Sequence, residues 1–112
     1  MKVKNKFWGK YHIPSCPNYM KRPKNAIFIS SSNSLEHEML KLKVCYQFRK
    51  EGINYITEAV RNKLDSKGKS RKVDVVNINT GDEWEIEMTE RRAKRFLGEE
   101  GVFVVKGWKV KG

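Results

Sequence analysis

Glu36, Asp74 and Glu87 are the residues of this chain best placed by type and spacing to do chemistry together, with Glu85 on the same strand as Glu87. Glu85 and Glu87 belong to the run EWEIEMTE, residues 83–90, which packs four acids into eight positions of a chain whose formal net charge is +11. Asp74 precedes Glu87 by thirteen residues, across the turn signal NTGDE. A hairpin sets its strands about 5 Å apart, close enough for Asp74 and Glu87 to share one hard cation. Mg²⁺ favours carboxylate oxygens and keeps part of its water shell. It can supply a nucleophile and neutralise charge on a cleaved phosphodiester. The competing reading is a solvated strand face paired with lysines, with Glu36 merely stabilising a helix start.

The elements that must position these acids follow from periodicity. VDVVNI and WEIEMT read as the two strands of the hairpin, Trp84, Ile86 and Met88 facing one way and Glu85, Glu87 and Thr89 the other. LEHEMLKLKVCYQFRKEG predicts the longest helix, with Leu35, Met39, Leu42 and Tyr46 as its inward stripe and Cys45 and Phe48 beside it. Asn33 or Ser34 would cap its start and Gly52 its end. INYITEAVR carries two periods: Ile56, Val60 and Leu64 suit a helix, while Ile53, Tyr55 and Thr57 alternate as in a strand. NAIFIS reads as a short strand. ERRAKRFLGEEG reads as a helix with Ala93, Phe96 and Leu97 inward, and VFVVKGWKV as a last strand interrupted at Gly107. A mixed sheet flanked by helices packs these elements.

Charge points to the partner. The 112 residues suit one domain, and 24 Lys and Arg against 13 acids favour a polyanion, nucleic acid first among them. Residues 1–35 contain no acid but carry Lys2, Lys4, Lys6, Lys10, Lys21, Arg22 and Lys24, with Phe7, Trp8, Tyr11, Tyr19 and Phe28 among them. Lysines can neutralise phosphates and rings can stack on bases, although Trp8 and Phe28 read better as core cover. The division expected is a basic N-terminal arm, 1–29, and an α/β domain, 30–112. The charged loop NKLDSKGKSRK adds Lys67, Lys69, Arg71 and Lys72 as phosphate contacts, and the late helix adds Arg91, Arg92 and Arg95. Cys16 and Cys45 do not form a disulfide framework, and with His12 and His37 they lack zinc-knuckle spacing. Neither a signal peptide nor a membrane span is legible, so a cytoplasmic setting is expected.

At this level the chain resembles the PD-(D/E)XK nuclease superfamily, most of all its small archaeal Holliday-junction-resolvase branch. SLEHEMLKL resembles the family helix, with Glu36 as its acid, and KEGINYITEAVR resembles the strand that follows, which favours the strand reading there. VDVVNINTGDEWEIEMT resembles the motif hairpin, Asp74 and Glu87 standing for its two acids, and GVFVVKG resembles the late core strand. The likeness spans about residues 30–107 and rests on order and spacing. Val73 stands where the motif has proline, and Thr89 where it has lysine. Lys72 or Arg91 could replace that lysine. The motif could instead run Glu85-x-Glu87, or catalysis could be lost with binding retained.

The resemblance implies a restriction-endonuclease-like α/β fold and Mg²⁺- or Mn²⁺-dependent cleavage of DNA, branched DNA included, by a homodimer. Glu36, Asp74 and Glu87 would hold the metal, and Glu85 or Thr89 would complete the site. Two rivals come from other classes: a non-catalytic nucleic-acid-binding module on the same frame, and a small interaction or regulatory protein whose charge has no nucleic-acid role.

Overall fold

The computed structural model describes residues 8–16, 23–65 and 67–109. Its architecture is mixed α/β. The strands β1 (Tyr11–His12), β2 (Tyr55–Arg61), β3 (Lys72–Asn77), β4 (Glu83–Glu87) and β5 (Val102–Lys106) form one sheet in that order. The first four run antiparallel to one another in succession, and β5 lies parallel to β4. Two helices accompany the sheet, α1 (Leu35–Lys50) before β2 and the short α2 (Glu90–Ala93) between β4 and β5. A parallel neighbour needs a crossover connection, and α2 with the following 3₁₀ turn Lys94–Phe96 provides it. No helix among the described residues is long and apolar enough to cross a membrane.

Local chemistry sets the ends of α1. Ser34 is extended, and its hydroxyl accepts from the His37 N–H at 3.1 Å, satisfying one of the helix's free donors. Glu36 and Glu38 lie in the first turn and Arg49 and Lys50 in the last, as the macrodipole favours. Gly52 takes the left-handed conformation, φ 73°, that ends the helix.

The inward face of α1 differs from the expected one. Leu35, Met39, Leu42 and Tyr46 are exposed, while His37, Glu38, Leu40, Lys41, Cys45 and Phe48 are buried. The expected stripe counts every polar residue as outward. Here the buried polar groups are paired: Lys41 Nζ reaches Glu38 Oε1 at 2.6 Å, Glu58 Oε2 at 2.9 Å and the Phe28 carbonyl at 2.8 Å. Leu40, Cys45 and Phe48 join Tyr55, Val75 and Ile86 in one core cluster, with Trp84 and Met88 packed against it. Ile56, Ala59, Val73, Val76 and Ile78 form a second, on which Tyr11 and Ile13 pack.

Three further expectations change. NAIFIS is not a strand; Thr57 Oγ1 accepts from the Phe28 N–H and donates to the Ala26 carbonyl, so a side chain takes the place of a ladder. Leu97 is exposed while Phe96 is buried, because α2 tightens to 3₁₀ geometry after Ala93 and its angular spacing changes. Part of the expected N-terminal arm enters the sheet as β1, Tyr11 opposite Arg61. INYITEAVR supplies β2, and β5 stops where Gly107 begins a 3₁₀ turn. A Cβ at Gly107 would lie 2.5 Å from Met88 Sδ and 2.9 Å from the Glu87 carbonyl oxygen, so only glycine fits there.

The Lys41 ammonium lies between two buried carboxylates, those of Glu38 and Glu58, and removing one partner of a buried pair typically costs about 3–5 kcal/mol. Lys41→Met is therefore expected to lower the unfolding free energy by about that amount in urea denaturation.

Candidate functional site

One row of acids crosses the sheet. Thr57 pairs with Val75 and Ala59 with Val73, which sets Glu58 abreast of Asp74. Val75 pairs with Trp84 and Val76 with Glu83, and one step further along this register sets Asp74 abreast of Glu85. At this row the regular ladder gives way to side-chain contacts. Glu58 has φ 52°, a left-handed conformation unusual for a side-chain-bearing residue, and its carboxylate meets Lys41 and, at 2.5 Å, Lys72. Asp74 Oδ2 accepts from the Ile86 N–H at 2.8 Å.

Asp74, Glu85 and Glu87 line one cleft of about 400 Å³ with His37 and Thr89, and Lys72, Arg92 and Arg95 bring positive charge to it. His37 braces Asp74: its Nε2 lies 3.3 Å from Asp74 Oδ2 and its Nδ1 2.7 Å from Glu38 Oε2. Glu38 is fixed in turn by Lys41, the Ser30 N–H and the Asn33 amide. Glu85 is buried, and its Oε2 accepts from Arg71 Nη2 at 3.1 Å. Arg71 also bonds Glu99 at 3.2 Å and covers the Phe96 ring at 4.6 Å.

These surroundings shift the titrations. Burial and the nearby Asp74 charge push Glu85 up to about 8, against the pull of Arg71. Burial also raises Glu87, with Arg95 opposing and Asp74 assisting. Burial lowers His37, but Asp74 and Glu38 outweigh it and the net shift is upward. Burial pushes Glu38 up, but Lys41, the Ser30 N–H and His37 pull it down to about 2.

Glu36 is exposed and does not line this cleft. One residue along a helix is about 100° of rotation, and the phase that buries Lys41 turns His37 to the site and Glu36 to solvent. Thr89 lines the cleft and also caps α2, accepting from the Arg92 N–H at 3.3 Å. Two participants were missed in the sequence, His37 as the brace of Asp74 and Glu58 as the third acid of the row. The first depends on the phase of α1, which hydropathy misplaces, and no local pattern signals the left-handed turn that places the second.

A second cleft, of about 470 Å³, adjoins the first through Arg95 and Phe96, which line both. Lys63, Lys67 and Lys69 line it with Arg61 and Arg71. Asp65 shapes its loop by accepting from the Lys67 and Lys69 N–H groups at 2.9 and 2.8 Å. Of the cations expected to meet phosphate, Lys67, Lys69, Lys72, Arg92 and Arg95 therefore line one or both clefts. Arg71 is committed to acids, Lys24 and Arg91 are exposed but line neither, and Lys21 and Arg22 lie outside the described residues.

Among the described residues no three His, Cys, Asp or Glu side chains form a ready cation cage. His12 bonds Asn62 and Cys45 is fully buried, so the zinc combination does not assemble. A pair of carboxylates still fits Mg²⁺, which is commonly held by one or two of them together with water and substrate phosphate. Glu85 is raised first by burial and then by the Asp74 charge beside it, with Arg71 opposing. No family model, curated protein or solved structure matches the chain.

Unfolding free energy is expected to fall as the pH rises from about 5 toward 8. Glu85, with its folded value raised, holds a proton that the unfolded chain has lost. The His37 contribution is complete below about 6.5 and is lost as pH climbs through its raised folded value. Each pH unit between the two states' values changes stability by about 1.4 kcal/mol per group. Glu38 has the opposite sign, but its contribution is lost only in acid, as pH falls toward about 2. Denaturant titrations at about pH 5, 6.5 and 8 test this, and Glu85→Gln and His37→Gln should each flatten the profile.

Proposed function

We propose that this chain is a metal-dependent DNA endonuclease of restriction-endonuclease-like fold. The reading rests on the cleft in which Asp74 and Glu85 stand abreast and which continues into a basic groove. The order of helix, three antiparallel strands, short helix and parallel strand supports it, because the resemblance implies that sequence of elements with acids on the central hairpin.

Asp74 and Glu85 would hold Mg²⁺ or Mn²⁺, with Glu87 beside them in the cleft. When bound, such an ion supplies an activated water and offsets charge on the scissile phosphate. The protein's own groups do the rest. His37 and the Ile86 N–H fix one oxygen of Asp74. Arg92 and Arg95 draw the phosphate into the cleft, and Lys67 and Lys69 hold the strand beyond it. The register Glu85-x-Glu87 is favoured over Glu87-x-Thr89, because Glu85 is the acid abreast of Asp74 and the Thr89 hydroxyl serves a helix cap. Lys72, two residues before Asp74, lines the same cleft while paired with Glu58, and Arg91 does not line it. Cutting both strands of a duplex calls for two such sites, hence a homodimer, and the resemblance adds branched DNA as substrate.

The second reading, a binding module without catalysis, draws on one observation: Arg71 already pairs with Glu85. Cleavage separates the two. Wild type is expected to nick members of a DNA panel that includes four-way junctions, with Mg²⁺ or Mn²⁺. Asp74→Ala and Glu85→Ala should lose at least ~100-fold in rate while still binding DNA, the order of effect when a catalytic charge is removed. Binding without cleavage in either ion would leave the second reading, and absence of both would end the two together. Replacing Lys67 and Lys69 by Ala should also flatten the dependence of log affinity on log salt, by about 0.9 for each phosphate no longer neutralised.

A further inference from the structure

The helix α1 is apolar on two opposite sides. One side packs on the sheet through Leu40, Cys45 and Phe48. On the other, Leu35, Met39, Leu42 and Tyr46 remain 70, 52, 52 and 63% exposed. Their spacing of four, three and four residues is the repeat with which one helix seats along another. Large apolar side chains grouped in this way on an exposed face mark an interaction surface more than a solvated one.

The charges beside the stripe identify the occupant. Glu36, Lys43 and Lys50 follow one another along one flank at intervals of seven, so one acid lies at the helix start and two bases lie toward its end. Lys50 Nζ is 5.8 Å from the Tyr46 ring, which brings this flank against the stripe. A second copy laid antiparallel sets Glu36 against the basic end of its partner, twice by symmetry, and opposes the two helix dipoles. A parallel copy sets this flank across the seam from its partner's opposite flank, where Glu38 and Cys45 are buried, so Glu36 meets no base there. A two-fold interface must be complementary to itself, and this face is so in the antiparallel sense alone.

We propose that α1 pairs antiparallel with α1 of a second copy through Leu35, Met39, Leu42 and Tyr46, the Glu36 and Lys43/Lys50 flanks meeting across it. The interface extends the two-copy reading above but stands on the helix itself, so dimer formation and DNA cleavage can fail separately. Sixteen residues give an interface about 24 Å long, at the lower end of what holds a specific pair, so the dimer is expected to dissociate in the micromolar range.

Sedimentation equilibrium of the full chain without DNA or metal tests this. Wild type should shift from monomer to dimer with concentration, and Met39→Glu or Leu42→Glu should weaken association at least tenfold with an unchanged circular dichroism spectrum. Glu36→Lys should weaken it too, and adding Lys43→Glu and Lys50→Glu to that variant should restore it. A wild type that stays monomeric at about 100 µM overturns the proposal, as does a dimer indifferent to Met39→Glu and Leu42→Glu. Failure of the charge exchange to restore pairing overturns the antiparallel seating. A monomer that binds anionic phospholipid vesicles through this face would assign the stripe to a membrane surface instead.

Discussion

A fully buried lysine ammonium holds the site together. Lys41 sits between Glu38 on its own helix and Glu58 on β2, with the Phe28 carbonyl as a third acceptor. An unpaired charge at that depth would cost many kcal/mol, so all three acceptors must be in place when the chain is folded. Two of them lead directly to the cleft. Glu38 reaches His37, which braces Asp74. Glu58 reaches Lys72 and stands abreast of Asp74 in the acid row. The helix phase, the left-handed turn at Glu58 and the position of His37 thus share one electrostatic requirement.

Two acids of β4 are consequently not on a solvated face. Glu83 and Glu85 are buried, Glu83 held by Arg61 and Tyr11 and Glu85 by Arg71. Each structural pairing consumes cations, so the positive excess is carried by the others. Lys67, Lys69, Arg92 and Arg95 are exposed along the two adjoining clefts. The chain thereby separates cations that neutralise buried acids from cations available to a polyanion, and Arg71 belongs to the first group although composition suggests the second.

Much of this was legible in the sequence. The hairpin follows from alternation and a strong turn signal, and the sides of Trp84, Ile86 and Met88 from the same period, but the acid abreast of Asp74 is Glu85 and not Glu87, the partner expected from spacing. The strand at INYITEAVR is ambiguous by periodicity, and the resemblance decides it. The phase of α1 was not legible, because hydropathy assigns lysine, glutamate and histidine to the surface, and here a tertiary network satisfies all three inside. Leu97 is misplaced by a change of helix type that a periodic pattern does not register. NAIFIS has the composition of a strand, yet a threonine hydroxyl stands in for its ladder. The exposed stripe that hydropathy places inward keeps its meaning if a second copy covers it.

The central claim is that Asp74 and Glu85 form one divalent-cation site. Electron paramagnetic resonance titration with Mn²⁺, without DNA, tests it most directly, because it reads the ion and not the activity. The account predicts one Mn²⁺ site per chain, weakened at least tenfold by Asp74→Asn and by Glu85→Gln and left unchanged by Glu36→Gln. Absence of saturable binding, or a site indifferent to Asp74 and Glu85 but lost with Glu36, would contradict it.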